Sequence, residues 1–487
     1  MRTMRGWMIA AMAGLVAACG GGGSSGGKPV PFANPPEIVS HDGELFATLT
    51  VEPATLTVAG QQVQFEALYD GLYMPPVLRV QPGDVVRLEI ANHGPMDTNV
   101  HYHGLAVSPL GAGDNVFISI PPTTNFRYDM PIPADHPSGL FWYHPHFHPE
   151  VNHQIAGGLS GGMIVGDILA PFPELADIPE RVILLKDLKT KNGAPLPDPD
   201  PTGPTRRTIN GLYKPRITME PGQLEFWRIG NIGANIYYKL HLDGVRFYVI
   251  AQDGNLQNQA LETETLLLPP GKRLEVLVYG PPAGGLRRLH ADKYDTGPAG
   301  DHYPAQVLAT VASSGPRVAP IPIPSAFPVV PDLRDHPIDR QRNIVFADDP
   351  DGNGFTINGK AYDHHCVDTI VELGSVEEWT IENTSKESHV FHIHQLDFQV
   401  TALNGVAQPF TGYQDTVNLP PATDAGPSVV TAIIPFDNPV IVGEFVYHCH
   451  IVQHADQGMM ANIQVIDPSH PVPVHPCEPP GFGDFPE

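Results

Sequence analysis

Three stretches of the chain carry one pattern of apolar and polar positions. Residues 78–92 read LRVQPGDVVRLEIAN, residues 216–231 read RITMEPGQLEFWRIGN, and residues 369–383 read TIVELGSVEEWTIEN. In each stretch apolar side chains recur at every second position on both sides of a glycine, which predicts two β-strands joined by a turn. The copies are spaced about one domain length apart, far beyond the ~20–50 residues of a solenoid repeat. We therefore predict three homologous β-domains.

A second repeat links the first and third copies. Residues 139–146 (GLFWYHPH) match residues 443–450 (GEFVYHCH) at the glycine, the phenylalanine, the tyrosine and both histidines. A further His-x-His begins at the same offset from the glycine turn of each of these copies. The middle copy has Leu240 at this position, next to a lone histidine, His241. The histidine pairs are His101/His103, His144/His146, His392/His394 and His448/His450.

The spacing of these pairs suits metal binding. Residues i and i+2 of a strand face the same side, so each pair presents two imidazoles together. A single pair of this kind is an ordinary surface coincidence. Four pairs at matched offsets in duplicated domains instead indicate a multinuclear metal cluster between the first and third domains.

The last motif indicates a second, separate metal site. Cys449 lies between two paired histidines, so it faces the opposite side of the strand. Its thiolate, together with His389, His454 and the weak thioether of Met459, makes the ligand set of a blue-copper electron-transfer site, and Met460 is the neighbouring alternative. Zinc also takes His and Cys ligands, but a four-ligand structural zinc site leaves the other histidines unexplained.

These motifs resemble the four signatures of three-domain multicopper oxidases, a family that includes laccases and bacterial copper oxidases. The resemblance covers nearly the whole chain after its N-terminal segment and implies an all-β fold of three cupredoxin-like Greek-key β-barrels. It implies four coppers per chain and an oxidase that couples one-electron oxidation of a small reducing substrate to the four-electron reduction of O2 to water.

The resemblance also assigns each ligand by motif match. His389, Cys449 and His454 would hold the type 1 copper, with Met459 as axial ligand, and His101 and His392 would hold the type 2 copper. The type 3 pair would be held by His103, His144, His146, His394, His448 and His450.

Two acids are candidate proton relays. Asp114, in the loop after the first His-x-His, resembles the family's acid beside the type 2 copper, although a solvated turn residue is the alternative for its Gly-Asp-Asn context. Many relatives carry a glutamate directly after the type 1 histidine, where this chain has Ala455. Asp456 follows it, and we predict that it takes over part of this role.

The substrate is less clearly indicated. Copper-efflux oxidases carry a methionine-rich insert that captures Cu(I). This chain has 11 methionines, and outside the N-terminal segment only Met459 and Met460 adjoin. The pattern favours a laccase-like oxidase of phenols or aromatic amines over a cuprous or ferrous oxidase. A copper-binding lipoprotein without turnover is a further alternative.

The composition argues against a nucleic-acid partner. Asp and Glu number 53 against 28 Lys and Arg, which gives a net charge of -25, and phosphate contacts need clustered basic residues.

Composition along the chain also indicates the domain boundaries. We predict a monomer with domains at residues 41–168, 181–318 and 343–467, preceded by a tether at 19–40 and followed by a Pro-rich tail at 468–487.

The N-terminus predicts export. Arg2 and Arg5 precede a short apolar run that ends at Cys19, so residues 1–18 resemble a lipoprotein signal peptide with Cys19 as the lipidated residue. An ordinary secretory signal is the alternative. Either one places the protein in the periplasm or cell envelope, an oxidising compartment in which we expect Cys366 and Cys477 to form a disulfide.

Overall fold

A computed structural model describes residues 30–196, 205–470 and 474–477 of the chain. The described part is 5% helix and 49% strand, which confirms the prediction of an all-β fold. No helix within these ranges is long and apolar enough to cross a membrane. The predicted signal peptide, Cys19 and the first half of the tether lie outside the described residues, as does most of the C-terminal tail.

Domain 1 pairs two sheets around an apolar core. One sheet has the order β1-β4-β9-β8-β6 and the other the order β3-β2-β5-β7, and a short helix α1 follows the second histidine motif. Its elements are β1 (Glu37–Val39), β2 (Glu44–Val58), β3 (Gln61–Tyr69), β4 (Val77–Val80), β5 (Val85–Asn92), β6 (His101–His103), β7 (Thr124–Pro131), β8 (Gly139–His144), α1 (Val151–Ala156) and β9 (Gly161–Val165).

Domain 2 repeats this plan with sheets β13-β10-β15-β20-β17-β18 and β14-β24-β21-β16-β19. A 3₁₀ helix at Pro173–Leu175 precedes it, and β11-β12 and β22-β23 form small hairpins. Its strands are β10 (Glu180–Leu188), β11 (Thr190–Lys191), β12 (Ala194–Pro195), β13 (Arg206–Ile209), β14 (Arg216–Met219), β15 (Leu224–Asn231), β16 (Tyr238–Leu242), β17 (Phe247–Gln252), β18 (Asn255–Thr263), β19 (Thr265–Leu268), β20 (Arg273–Tyr279), β21 (Leu286–Asp292), β22 (Tyr294–Asp295), β23 (His302–Tyr303) and β24 (Gln306–Ser313).

Domain 3 has sheets β26-β25-β28-β33-β30-β31 and β27-β35-β34-β29-β32, with 3₁₀ helices at Leu333–Asp335 and Pro439–Ile441. Its other elements are β25 (Arg340–Asp348), β26 (Phe355–Ile357), β27 (Thr369–Glu372), β28 (Val376–Asn383), β29 (His389–Ile393), β30 (Gln399–Leu403), β31 (Val406–Ala407), β32 (Thr416–Leu419), β33 (Ser428–Pro435), β34 (Gly443–Cys449), α2 (Val452–Asp456) and β35 (Met460–Ile466). The three matching plans confirm three cupredoxin-like domains.

The repeated sequence unit occupies the same place in each domain. Its two strands are β4–β5, β14–β15 and β27–β28, and in each domain they belong to different sheets. The turn glycines Gly83, Gly222 and Gly374 have φ of 92°, 81° and 91°, a conformation that other residues adopt only with strain. The glycine therefore lets the chain pass from one sheet to the other.

The asparagine that ends each repeat anchors the loop that follows. Asn92, Asn231 and Asn383 are buried, and each side-chain amide donates to two or more carbonyls of the chain ahead. In domains 1 and 3 this loop leads directly into β6 and β29, the strands that carry the first histidine pair of each domain. The repeat thus sets where the histidines begin.

A disulfide joins Cys366 to Cys477, as the sequence predicts. It fixes the described end of the tail to domain 3, where Val367 also pairs with Pro476. Cys449 is the free, buried cysteine of the described residues.

Candidate metal centres

The four histidine pairs meet between domains 1 and 3. In domain 1, β6 lies beside β8 so that His101 is directly opposite His144, and in domain 3, β29 lies beside β34 so that His392 is directly opposite His448. Because the two registers are equivalent, each domain presents its two histidine pairs on the same face of two neighbouring strands. All eight histidines of this centre are buried.

The histidines gather in three groups that could each hold a metal ion, with their candidate ligand atoms within 4.8 Å of one another. His448 Nε2 lies 3.3 Å from His146 Nε2 and 3.2 Å from His394 Nε2. Nitrogens bound tetrahedrally to one ion at about 2.0 Å are about 3.3 Å apart, so these distances fit a shared metal. The groups are His101/His103/His392, His103/His144/His450 and His146/His394/His448.

The outer nitrogens of four histidines are held by hydrogen-bond acceptors. His101 Nδ1 contacts a carboxylate oxygen of Asp114 at 3.0 Å, and His144, His392 and His448 each contact a backbone carbonyl through Nδ1 at 2.8–2.9 Å. A proton placed on Nδ1 by such a partner leaves Nε2 as a free lone pair. The acceptors therefore aim four Nε2 atoms into the centre.

The lowered pKa values of these histidines, and the hydrogen-bond partners that some of their nitrogens lack, are consistent with a bound metal ion. Burial lowers the pKa of His144 and His392 to about 3 and that of His448 to about 4, so the rings are neutral and able to ligate. Among the described residues, Nε2 of His101, His144 and His392 is buried without a hydrogen-bond partner. Buried nitrogens of this kind are costly unless something else satisfies them, and a bound metal ion does so.

A mononuclear site lies on the other face of β34. Cys449 Sγ is 3.7 Å from His389 Nδ1 and 3.8 Å from His454 Nδ1, and these two nitrogens are 3.0 Å apart. Burial raises the pKa of the Cys449 thiol to about 12, so the thiolate needs a cation beside it. The His2Cys set therefore fits a metal ion better than it fits a thiol buried on its own.

The two methionines at the end of this motif face different surroundings. Met459 is fully buried in the same apolar cluster as Cys449, and its backbone carbonyl accepts from the Cys449 amide at 3.0 Å. Met460 begins β35 opposite His448 and packs with Val116 and Val446 beside a surface cleft. This arrangement places Met459, and not Met460, on the Cys449 side.

Asp114 lies at the eight-histidine centre and not in a solvated turn. It is buried, contacts His101, and accepts hydrogen bonds from the Tyr102 amide at 3.0 Å and from Gln395 Nε2 at 2.8 Å. Burial raises its pKa to about 7, although these two hydrogen bonds lower it. Gln395 belongs to domain 3, so the carboxylate also links the two domains.

Asp456 occupies a different environment: it is the last residue of α2 and contacts the start of α1. Its carboxylate accepts from the Asn152 amide at 2.6 Å, and its other oxygen lies 3.7 Å from His148 Nδ1. His148 in turn lines a cleft of about 570 Å³ that extends to His146 of the centre. Asp456 therefore stands near an approach to the histidines and also ties domain 1 to domain 3.

Two charged residues that the sequence analysis missed lie behind the centre. Arg273 of β20 in domain 2 makes paired hydrogen bonds of 2.8 and 2.7 Å with Asp415 of domain 3, and both side chains are fully buried. Asp415 also lies 3.3 Å from His103 Nε2, and its backbone carbonyl holds His392. Although burial raises it, the Arg273 charge holds the pKa of Asp415 below its usual value. No local spacing marks either residue.

A third missed residue is Glu387, beside the mononuclear site. Glu387 Oε2 lies 3.7 Å from His454 Nε2, the ring edge that faces away from Cys449. Burial and the nearby charges of Asp348 and Asp301 raise the pKa of Glu387 to about 7. Its position two residues before His389 is the signal that could have identified it.

An aromatic ring covers one face of His454 at the mononuclear site. Phe355 stacks on His454 with ring centroids 4.0 Å apart and an interplanar angle of 25°. The His454 side chain is 8% exposed, so its edge lies just below the protein surface.

The fold and these sites define a copper-binding protein of the cupredoxin class. Family models described as multicopper oxidase match residues 50–168, 181–282 and 335–469. The chain therefore belongs to the multicopper oxidase family, and this membership supports an oxidoreductase activity that depends on copper.

Individual relatives match along most of the chain. It is 24% identical over 410 residues to the multicopper oxidase mco of Staphylococcus aureus, covering 82% of this chain and 83% of that protein. It is 27% identical over 424 residues to the cell division protein FtsP of Escherichia coli, covering 81% and 85%. A solved structure described as "Multicopper oxidase from Campylobacter jejuni: a metallo-oxidase" is 26% identical with a TM-score of 0.76, covering 90% of this chain and 94% of that chain.

Proposed function

We propose that this protein is a multicopper oxidase that takes electrons singly from a small reducing substrate at the Cys449 site and passes them to O2 at the eight-histidine centre. One observation carries the proposal: Cys449 lies on β34 between His448 and His450, so the backbone of one strand joins the two sites. Four coppers bound per chain would supply four one-electron carriers, matching the four electrons that reduce O2 to water.

The ligands follow the groups described above. The type 1 copper would be held by His389, Cys449 and His454, with the thioether of Met459 as a further, weak ligand. The type 2 copper would be held by His101 and His392, and the type 3 pair by the remaining six histidines. His101 is the histidine of this centre whose Nδ1 contacts the carboxylate of Asp114, and the Asp415 carbonyl orients His392.

The two predicted acids take different places in this proposal. Asp114 orients His101 and stands as the acid at the centre itself, where water is formed. Asp456 stands outside it, near His148 and the cleft that extends to His146. We propose that the cleft admits O2 and exchanges water, with Asp456 as an outer proton-carrying group.

For the reducing substrate we propose phenols and aromatic amines, the laccase-like choice that the scarcity of clustered methionines favours. Phe355 supports this proposal because its ring shields one face of His454 and offers an apolar surface to an aromatic substrate. Electrons would enter through the His454 ring edge.

Glu387 favours a second candidate, the oxidation of Cu(I) or Fe(II). Three acids, Glu387, Asp348 and Asp301, concentrate negative charge beside His454, and such a field attracts small cations more strongly than neutral phenols. The carboxylate of Glu387 is also a suitable oxygen ligand for ferrous iron.

Steady-state O2 uptake by the copper-loaded protein tests both candidates. Four substrates are compared: a phenol, an aromatic amine, Cu(I) and Fe(II). If the substrate is a metal ion, Glu387→Gln should raise KM for that ion by roughly tenfold, equivalent to ~1.4 kcal/mol, and change phenol turnover little. Asp424→Asn, an exposed acid of the same domain, is the control.

The outcomes separate the proposals. Efficient phenol turnover that Glu387→Gln leaves unchanged supports the laccase-like proposal. Protein that holds its full copper and consumes no O2 with any of the four substrates would favour a non-catalytic copper-binding role, the direction suggested by the name of the FtsP relative. The filled ligand positions argue against that role.

The N-terminal sequence bears on where the protein is located in the cell. We propose an exported monomer held in the cell envelope by a lipid on Cys19, on the basis of the N-terminal pattern of basic residues, apolar run and cysteine.

A further inference from the structure

Domain 2 carries a histidine cluster of its own on its outer surface. His241 of β16 lies directly opposite His290 of β21. This strand pair corresponds to β6–β8 in domain 1 and to β29–β34 in domain 3. Leu240 and Ala291 occupy the positions that carry the inward-facing histidines in those domains, and the two histidines of domain 2 lie one residue away from them. Since successive residues of a strand face opposite sides, the domain 2 histidines face solvent while Leu240 and Ala291 are buried.

An aspartate completes the cluster. Asp243, in the turn after β16, places Oδ1 at 3.1 Å from His290 Nε2 and 3.4 Å from His241 Nε2. These separations are close to the ~3.3 Å expected between ligands of one tetrahedral ion with bonds of about 2.0 Å. The three residues form a group whose ligand atoms all lie within 4.8 Å of one another.

Further contacts orient the ligand atoms of this cluster. His241 Nδ1 lies 2.8 Å from Asp292 Oδ1, so the ring donates there and keeps its Nε2 lone pair towards Asp243. The second oxygen of Asp243 accepts from the Arg288 amide at 3.2 Å. A carboxylate behind a histidine is the arrangement that supports histidine ligands in many metal sites.

The surroundings suit a cation. A cleft of about 580 Å³ adjoins the cluster, and the guanidinium of Arg246 at its edge is already paired with Glu262 and Glu264. Asp243 and Asp292 place two carboxylates at the cluster.

The two imidazoles are stacked, with centroids 4.5 Å apart and planes within 3°. Their lone pairs therefore run side by side, and binding one ion requires each ring to tilt towards the other. The side chains of His241 and His290 are 32% and 21% exposed, so they have room for this motion.

We propose that His241, Asp243 and His290 bind one divalent transition-metal ion, Cu²⁺ or Zn²⁺ in class, in addition to the four coppers of the oxidase. Two imidazoles and a carboxylate are ligands that both ions accept, and the fourth position is open to water. The site belongs to the domain that lacks the inward-facing histidines.

Zn²⁺ titration tests the proposal, on full-length protein that is loaded with copper and then dialysed against a chelator until four coppers per chain remain, because excess Cu²⁺ would otherwise occupy the same site. Calorimetry should detect one Zn²⁺ per chain beyond the coppers. His290→Ala should weaken this binding at least ~10-fold, and Asp292→Asn should weaken it by roughly 10-fold or more by releasing His241. His302→Ala removes another exposed histidine of domain 2, which pairs with Asp295 and has no second imidazole beside it among the described residues, and should leave binding unchanged.

The variants lie outside the oxidase ligands, so retained copper and blue absorption verify that each is folded. Equal Zn²⁺ affinity in the wild type and His290→Ala would overturn the proposal. So would the absence of Zn²⁺ binding in the wild type, because the cluster would then be a hydrogen-bonded histidine stack.

Discussion

Domains 2 and 3 share one framework and use it for different purposes. In each domain a buried tryptophan follows the glycine turn and donates to a glutamate two residues before it, Trp227 to Glu225 and Trp379 to Glu377. Each glutamate also pairs with an arginine of the neighbouring strand. The two domains therefore build their central sheet in the same way.

They diverge at one pair of facing positions. Domain 3 has His392 opposite His448, whereas domain 2 has Leu240 opposite Ala291, both buried in its apolar core. At these two positions domain 2 thus keeps the fold with apolar side chains where domain 3 has histidines. Apolar burial and strand pairing therefore stabilise the framework of both domains, and the metal ligands of domain 3 are not needed for this fold to form.

Domain 2 nevertheless contributes to the centre that it does not ligate. Arg273 reaches across the interface to Asp415 of domain 3, and its Nε donates to the Leu140 carbonyl of domain 1 at 3.1 Å. One buried side chain therefore contacts both domains that supply the histidines.

The largest expected effect comes from removing the ligand that distinguishes domain 3. Cys449→Ser should abolish the intense blue absorption and substrate oxidation, because the thiolate produces both, while about three coppers per chain stay bound. The fold should persist, since domain 2 stands without a comparable ligand. Absorption spectroscopy, copper analysis and O2 uptake measure these outcomes. Stoichiometric zinc without a blue band in the copper-treated wild type would contradict the assignment.

The next largest effect is expected when the contribution of domain 2 to the eight-histidine centre, the side chain of Arg273, is changed. Arg273→Lys keeps the charge but loses the paired hydrogen bonds to Asp415, so copper at the eight-histidine centre should bind roughly 10–100-fold more weakly. The blue absorption of the Cys449 site should be retained while O2 uptake falls. Copper analysis after dialysis against a chelator measures the difference.

Arg228→Lys is the matched control, because Arg228 is an equally buried domain 2 arginine that pairs with Glu275. Both substitutions should lower the melting temperature, and the loss of copper should be specific to Arg273→Lys. Equal copper retention in the two variants would show that the Arg273–Asp415 pair is purely structural.

Asp114→Asn should have an intermediate effect. The amide cannot accept from His101 as strongly, so O2 turnover should fall by roughly tenfold, within the range expected for a carboxylate behind a metal ligand. The spectrum of the Cys449 site should not change. Asp456→Asn, outside the centre, should reduce turnover less; a larger loss in Asp456→Asn than in Asp114→Asn would reverse the roles that we propose for the two acids.

The smallest effect is expected on the redox potential of the Cys449 site in domain 3. Met459→Leu removes a weak thioether donor that stabilises Cu(II), so the type 1 potential should rise while the blue absorption is retained. Met460→Leu should leave the potential nearly unchanged, because this side chain packs beside the cleft. Redox titration of the blue band decides between them. A shift confined to Met460→Leu would move the axial assignment by one residue.

Much of the site could be predicted because it depends on local spacing. The grouping of His146, His394 and His448 agrees with the ligand set that the family resemblance assigned. Glu387 was missed because a single glutamate before His389 has no periodic partner in the sequence. Asp114 could be assigned to the centre or to a solvated turn from its context alone, and its burial against His101 decided between them.

The periodicity of the sequence predicts which side chains share a strand face, because a period of two is a property of the local backbone. The three β-domains, the four same-face histidine pairs and the opposite orientation of Cys449 all follow from this periodicity. The tertiary structure was needed to show which side chains of other strands and domains lie behind those faces. Arg273 and Asp415 are 142 positions apart, and His103 and Asp415 are 312 positions apart. Contacts at such separations follow from the packing of whole domains, so no local pattern of residues encodes them.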